Sequence, residues 1–211
     1  MEINTFVNSL SECESQENLF NPFKDVCPIN DIPDAPKIRC DNLKTFLEAQ
    51  LRNKPKYLWI AEAPGYNGSR RSGVFLVSEK HFEEVSKKIK SGSFSIATKT
   101  EPKIAVSVKV MWNLMKELPE FPLTFNALPF HPFKKDNILS NRTPNKSEIQ
   151  KNLHYLKTFI DWFKPEEIIA IGRKAESALQ NLNIDFHYVR HPAQGGQTEF
   201  INGIKKIYGL K

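Results

Sequence analysis

The chain has 211 residues, of which 40% are hydrophobic and 26% charged, and its formal net charge is +6. This length and composition suit one globular domain, and no apolar run is long enough to span a bilayer. The three cysteines (Cys13, Cys27 and Cys40) include no Cys-x-x-Cys pair, which argues against a disulfide framework and a four-thiolate metal or iron–sulfur site. Since the acidic N-terminus lacks a signal-peptide pattern, a cytoplasmic protein is expected.

The first 36 residues are acid-rich, with seven carboxylates against one lysine, so the basic excess belongs to the rest of the chain. Several prolines interrupt this segment, which predicts a short helix near residues 6–10 and then irregular chain packed on a domain at 37–211. A helix is predicted over residues 41–53, with Asp41 as its cap and apolar residues on one face.

The apolar run at residues 57–61 predicts a strand buried on both faces. It stops at Glu62, Pro64 and Gly65, where the chain must turn. Further strands are predicted at 123–127, 167–171 and 184–189. The helices predicted to alternate with them cover 75–90, 103–118, a stretch starting at Thr143 and Pro144, a stretch after Gly172, and 197–208. This alternation predicts an α/β fold, a three-layer αβα sandwich with a central, mainly parallel four-stranded sheet.

Polar residues follow each predicted strand. Because the carboxyl ends of parallel strands lie at one edge of a sheet, Glu62, Asn126 and His191 are expected to converge there. The same loops are expected to form a basic rim of Arg70, Arg71, Lys134, Lys135, Arg142, Arg173, Lys174 and Arg190. A polar site inside a basic rim is typical of binding to a phosphate backbone, although a solvated basic surface is the plainer interpretation.

Several site classes have no matching pattern. The chain contains no phosphate-cradling P-loop, no Gly-x-Gly-x-x-Gly fingerprint and no Gly-x-Ser-x-Gly nucleophile elbow. The five histidines show no metal-pair spacing on a helix. Neither a cofactor nor a metal is therefore expected.

Four stretches at the predicted strand ends carry a more specific signal: AEAPGY at residues 61–66, FNALPFHP at 125–132, SNRTP at 140–144 and VRHPAQGG at 189–196. Together they resemble the motifs of the uracil-DNA glycosylase superfamily, and the resemblance runs from about residue 57 to the C-terminus. It implies a monomeric, monofunctional enzyme that flips a base out of single- or double-stranded DNA and hydrolyses its N-glycosidic bond, with uracil as the default base.

The resemblance also implies roles for three residues. Asn126 would read the Watson–Crick edge, since an amide offers a donor and an acceptor side by side. His191 would donate to the base oxygen where negative charge develops. Glu62 would orient or activate water, or stabilise the positive sugar. The structural alternatives are a turn-capping asparagine, a histidine bonded to backbone and a solvated carboxylate.

Other motif positions would surround the substrate. The base would lie against the turn and loop residues Ala63, Pro64, Gly65, Tyr66, Phe75 and Leu76. The glycine-rich turn of Gln194, Gly195 and Gly196 would hold the DNA strand through backbone amides, unless it is only a turn before the last helix. Arg70, Arg71, Lys134, Lys135, Arg142 and Arg190 would contact phosphates.

Departures from the family pattern leave the substrate open. Ala193 replaces a serine, Leu76 aligns with a base-stacking phenylalanine, and Gly65 stands where the best-known branch has a tyrosine that shields C5 of the base. Either the stacking ring has moved to Phe75 or the cavity accepts another base. A modified pyrimidine, removed for repair or for defence against modified phage DNA, is therefore an alternative substrate. A non-catalytic DNA-binding module is the alternative from another class, and a nucleotide hydrolase is a third.

Overall fold

A computed structural model describes residues 1–210. The strands in chain order are β1 (Leu19–Phe20), β2 (Tyr57–Ala61), β3 (Leu123–Asn126), β4 (His131–Pro132), β5 (Glu167–Ile171) and β6 (His187–Val189). The helices are α1 (Ile3–Glu12), α2 (Ala35–Asn53), α3 (Ser69–Ser72), α4 (Phe82–Ile89), α5 (Val106–Met115), α6 (Lys146–Phe163), α7 (Arg173–Asn181) and α8 (Gln197–Ile207), with a 3₁₀ turn at Glu79–His81. No helix in this part of the chain is long and apolar enough to cross a membrane.

The central sheet has four parallel strands in the order β3-β2-β5-β6. On one face, Phe125 packs against Phe6 of α1 and Phe159 of α6, with ring centroids 6.1 and 4.3 Å apart. On the other face, Trp59 packs edge-on against Phe200 of α8. The predicted three-layer αβα sandwich is thereby confirmed, and its strands are buried on both faces as parallel strands require.

The strand register sets the position of the site. Ala61 at the end of β2 lies opposite Asn126 at the end of β3. On the other side of β2, Ile171 of β5 pairs with Val189 of β6. All four strands therefore end at one edge of the sheet, and the loops that follow them are brought together there.

The N-terminal segment is tied to the loop that follows β3. Strand β1 pairs with β4 in an antiparallel ladder, and the Asn18 carbonyl accepts hydrogen bonds from the amide of Phe133 and from Arg142. A fully buried ion pair joins Asp31 to Arg39 of α2 at 2.6 Å. The acidic segment thus braces a loop of the candidate site.

Several helix boundaries differ from the sequence-based expectations. Helix α2 begins at Ala35, so Asp41 lies inside it and the expected boundary between residues 36 and 37 falls within a helix. The reason is Pro36, which occupies the first turn, where a missing backbone N–H costs nothing. The helix expected at Thr143 and Pro144 instead begins at Lys146.

The N-cap of α6 is Asn145, whose side chain accepts a hydrogen bond from the Glu148 amide in a reciprocal capping box. Residues 75–78, expected to start a helix, precede the 3₁₀ turn and helix α4, which covers only residues 82–89. Three elements agree closely with the expectation: β2 and β5 have the predicted bounds, and α8 ends one residue earlier.

Candidate active site

A cavity of about 190 Å³ lies at the carboxyl edge of the sheet, and we call it the base cavity. The loop after β2 supplies Glu62, Ala63, Pro64 and Gly65, and the loop before α6 supplies Asn141 and Arg142. His191, which follows the edge strand β6, also lines the cavity. Residues from three separate strand ends therefore meet at one cavity, as the parallel topology predicts.

Glu62 lines this cavity with a carboxylate that has no hydrogen-bond partner among residues 1–210. Its backbone is held in place because its carbonyl accepts a hydrogen bond from the amide of Leu128 at 3.1 Å. Partial burial raises the pKa of the carboxyl, and the nearby Lys174 ammonium lowers it by a smaller amount. A carboxylate of this kind is available to bind a water molecule and accept its proton.

His191 is held in one tautomer. The Ala193 amide donates a hydrogen bond to Nδ1 of the ring at 3.2 Å, so the proton of the neutral imidazole resides on Nε2. Burial lowers the pKa of the ring, which favours this neutral form at pH 7. His191 therefore presents a neutral N–H donor, the group that a developing oxyanion needs.

Two glycines hold His191 on either side. A Cβ on Gly172 would lie 3.0 Å from Cβ of His191, and a Cβ on Gly196 would lie 2.2 Å from its carbonyl oxygen. Gly172 also has φ of +86°, a conformation that side chains disfavour. A larger residue at Gly196 would clash with the histidine backbone, and one at Gly172 would strain its own backbone and press on the histidine side chain.

Asn126 is fully buried, and neither Oδ1 nor Nδ2 of its amide has a hydrogen-bond partner among residues 1–210. Its side chain is enclosed next to the base cavity rather than exposed in it. Its register partner Ala61 lines the cavity. Since an unpaired buried amide costs about 1–3 kcal/mol per group, such a residue is typical of a binding site that is completed by a ligand.

Residues 75 and 76 are the two positions at which a ring that stacks on the base was considered. Phe75 lies in the core, where its ring packs against Phe23 and Phe125, so the prediction that it binds substrate is wrong. Leu76 lines the base cavity with φ of +62°, which is unusual for a residue with a branched side chain. An aliphatic side chain therefore replaces an aromatic surface in this wall.

Behind the Pro64 turn lies His131, which is fully buried. Its Nδ1 donates a hydrogen bond of 2.7 Å to the Pro64 carbonyl, which can only accept. Burial, reinforced by the nearby Arg70 guanidinium, lowers the pKa of the ring to about 3. A neutral histidine thus supports the turn on which the cavity is built.

Acidification is expected to destabilise the protein through His131. Its pKa is about 3 in the folded state, against an ordinary value of 6.5, so below pH 6.5 the unfolded chain binds a proton that the folded state excludes. The free energy of unfolding should therefore fall by up to about 1.4 kcal/mol per pH unit below pH 6.5. Urea denaturation between pH 7 and 4 measures this slope. In His131→Gln, which keeps a donor for Pro64, the slope should be shallower; an unchanged slope would contradict the assignment.

The basic rim is smaller than expected. Arg70 and Arg71 are buried, so the prediction that they contact DNA phosphates is wrong. Arg70 lies over the Phe20 ring at 4.3 Å and donates to the Ile138 carbonyl. Arg71 forms a buried ion pair with Glu79. Both arginines lie on the short helix α3, which turns their side chains inward.

Other predicted DNA contacts remain at the surface. Lys134 and Lys135 are exposed on the loop after β4. Arg142 is partly exposed and forms an ion pair with Glu148 at 2.5 Å, which holds its guanidinium beside the base cavity. Arg190 is half exposed and pairs with Glu199 at 2.6 Å.

A second depression of about 690 Å³, which we call the flanking groove, adjoins the base cavity. Glu62 and His191 line both. The groove also contains Arg190 and Gln194, and the Gln194 carbonyl accepts a hydrogen bond from the Arg190 guanidinium. Beyond it, a Cβ on Gly195 at the tip of the turn would meet no atom within 4 Å, which leaves the backbone there open to a partner.

Some lining residues have no individual signal in the sequence. Val108 and Met111 of α5 line the base cavity, although their helical spacing identifies them only as an apolar stripe. Asn141 lines it too, and its Oδ1 accepts a hydrogen bond of 2.9 Å from the Tyr66 amide. That bond ties together two loops distant in sequence, and it holds Tyr66 at the rim, outside the cavity lining.

The structure offers no metal site within the described residues: no three His, Cys, Asp or Glu side chains in residues 1–210 are grouped so that they could hold an ion.

Comparison with known proteins agrees with this geometry. No curated protein sequence matches the chain. The family model described as Uracil DNA glycosylase superfamily matches residues 49–207, a range that contains the whole central sheet and each strand end that lines the base cavity. The chain therefore belongs to the uracil DNA glycosylase superfamily, a family of DNA glycosylases.

Proposed function

We propose that the protein is a monofunctional DNA glycosylase that flips a base into the base cavity and hydrolyses its N-glycosidic bond, with uracil as the default substrate. The observation that carries the proposal is the buried amide of Asn126, whose donor and acceptor both lack partners among residues 1–210. A pyrimidine edge offers the complementary acceptor and donor, so that binding the base would pair both groups.

The chemistry divides between His191 and Glu62. As the bond between the sugar C1′ and the base nitrogen breaks, its electrons move onto the base, and the Nε2–H of His191 donates to the oxygen where that charge accumulates. Glu62 accepts a proton from water as the water oxygen bonds to C1′. The products are a free base and an abasic site.

Hydrolysis without strand cleavage is supported by the lining of the base cavity. Within residues 1–210 this lining includes no lysine, whose amine a glycosylase with lyase activity would use to form a Schiff base. Lys174 is not part of this lining, and its charge lowers the pKa of Glu62. Water is therefore the nucleophile in the proposed reaction.

The test is a panel of labelled single- and double-stranded oligonucleotides carrying uracil, hypoxanthine or a 5-substituted pyrimidine. Breakage at the test base after alkali, with none before it, is the expected result for at least one base. Breakage without alkali would contradict monofunctional hydrolysis. Binding without abasic sites for every base would favour the non-catalytic module, an alternative motivated by Ala193 and Leu76.

A modified pyrimidine is the second candidate substrate, and Gly65 is the observation that favours it. A Cβ at this position would meet only the Asn141 amide, at ordinary contact distances of 3.7 and 4.0 Å. No side chain at position 65 therefore fills this part of the cavity. Faster excision of a 5-substituted base than of uracil would support this candidate, whether its purpose is repair or defence.

Phosphate contacts by Lys134 and Lys135 are expected to appear in the salt dependence of DNA binding. Replacing both by asparagine should weaken binding to all sequences and lower the slope of log K against log salt by up to about 2, or about 0.9 per lost contact. Fluorescence anisotropy at several salt concentrations measures the slope. The matched control is the double replacement of Lys54 and Lys164 by asparagine, since both precede strands at the opposite edge of the sheet. Equal changes in the two double variants would refute specific contacts.

A further inference from the structure

The flanking groove contains an aromatic side chain that the proposed chemistry does not use. Tyr188 lies on the edge strand β6 and lines the groove, where it is 38% exposed. The guanidinium carbon of Arg173 lies 4.7 Å from the centroid of its ring. Arg173 also lines the groove, so an arginine lies over a tyrosine ring in the same groove as Glu62 and His191.

Arg173 is held in this position by its own helix. Its Nη1 donates to both carboxylate oxygens of Glu176, at 3.0 and 2.8 Å. Its side chain is nevertheless 76% exposed. The guanidinium therefore lies over the Tyr188 ring, while much of the group is accessible to a ligand.

A planar, π-electron-rich ligand fits such a pair better than a simple anion does. Nucleic-acid-binding proteins hold unpaired bases on aromatic rings and on arginine planes, because every base has a stacking face. The groove shares Glu62 and His191 with the base cavity. A strand whose base entered the cavity would therefore have its adjacent nucleotide at the groove.

We propose that Tyr188 and Arg173 form a stacking subsite for an unpaired nucleobase next to the flipped nucleotide on the same strand. The subsite rests on the proposed function, since it presupposes a flipped base in the adjoining cavity. Its consequence is tighter binding of DNA that is single-stranded around the target, because in a duplex the neighbouring base is already stacked and paired.

The test uses a single-stranded oligonucleotide in which 2-aminopurine lies beside 2′-fluoro-2′-deoxyuridine, placed on either side in turn. The fluorine makes the glycosidic bond resistant, so binding is measured without turnover. Stacking quenches 2-aminopurine, and binding to the natural protein should lower its fluorescence several-fold from at least one side. Tyr188→Phe keeps the ring and should retain the quenching.

Two variants separate stacking from charge. Tyr188→Thr removes the ring and suits an edge strand; it should abolish the quenching and weaken single-strand binding by about 5- to 100-fold, with a change below about twofold for duplex DNA. Arg173→Lys keeps the positive charge but lacks the planar group, and it should lose most of the quenching.

Two results would overturn the subsite. Quenching that persists in Tyr188→Thr would exclude the ring, and natural quenching in Arg173→Lys would reduce Arg173 to a phosphate contact. The measurement is independent of excision. Oligonucleotides that never yield abasic sites would defeat the proposed function alone, whereas excision with unquenched 2-aminopurine would defeat the subsite alone.

Discussion

Replacing His191 by alanine is expected to lower the single-turnover rate of base excision by about 10²–10³-fold, the usual effect of removing one preorganised donor to an oxyanion. The donor is Nε2–H, since the Ala193 amide already occupies Nδ1. Affinity for DNA should change little, because phosphate contacts supply most of it. The rate is measured as alkali-labile sites formed with enzyme in excess.

His154→Ala is the control for this variant, since His154 is exposed on the surface of α6. It should leave the excision rate unchanged. A His191→Ala enzyme that kept the natural rate would refute the assignment.

The pH profile of excision tests the same donor. The pKa of His191 is lowered by burial, so the ring is neutral at pH 7, and a neutral donor keeps its full effect as the pH rises to 8. Glu62 must be ionised, and burial raises its pKa, so the rate should fall as acid protonates it above its ordinary value of 4.5. An imidazolium donor would instead give a rate that falls as the pH rises.

Replacing Asn126 by leucine is expected to slow excision strongly and to stabilise the protein, or at least not to destabilise it. The natural amide is buried with both polar atoms unpaired within residues 1–210, at a cost of about 1–3 kcal/mol for each. Leucine has a similar size and carries no such cost, but it cannot read a base edge. The excision rate should drop by about 10²–10³-fold, corresponding to two hydrogen bonds lost from a dry site.

Thr124→Val provides the matched control, because Thr124 lies two residues earlier on the same face of β3. Its hydroxyl donates to the Phe75 carbonyl at 2.7 Å, so this variant should lose stability while changing excision far less. Urea denaturation and single-turnover kinetics on both variants measure the contrast. An Asn126→Leu protein that unfolded more easily than the natural one would show that the amide serves the fold.

The strands of the central sheet, and the site residues that follow them, were predictable because the local sequence pattern determines both. A continuous apolar run such as Tyr57–Ala61 identifies a strand buried on both faces, and parallel topology then brings Glu62 and His191 to one edge. The family motifs at those edges narrowed the function further. Both the strand assignment and the family resemblance depended only on the strands and the residues next to them.

The failures have long-range causes. The inward direction of Arg70 and Arg71 depends on Phe20 and Glu79, which belong to other segments, and a basic side chain in a loop is exposed far more often than it is buried. Phe75 was expected to stack on the base only if the stacking ring had moved by one residue from Leu76, but its ring packs in the aromatic core around Phe125. The start of α2 was missed because a proline suits a first helical turn as well as a loop.

The tight contacts of Gly172 and Gly196 with His191 bear on how this protein can change over generations. A Cβ at Gly196 would lie 2.2 Å from the His191 carbonyl oxygen, closer than atoms can approach, and a Cβ at Gly172 would lie 3.0 Å from Cβ of His191 at a residue whose φ of +86° already disfavours a side chain. Substitutions there are therefore expected to displace His191 and lower the rate of excision, although neither glycine takes part in chemistry. A change of substrate is therefore expected to arise from substitutions at Gly65, Leu76 and the α5 residues that line the cavity, rather than at these two glycines.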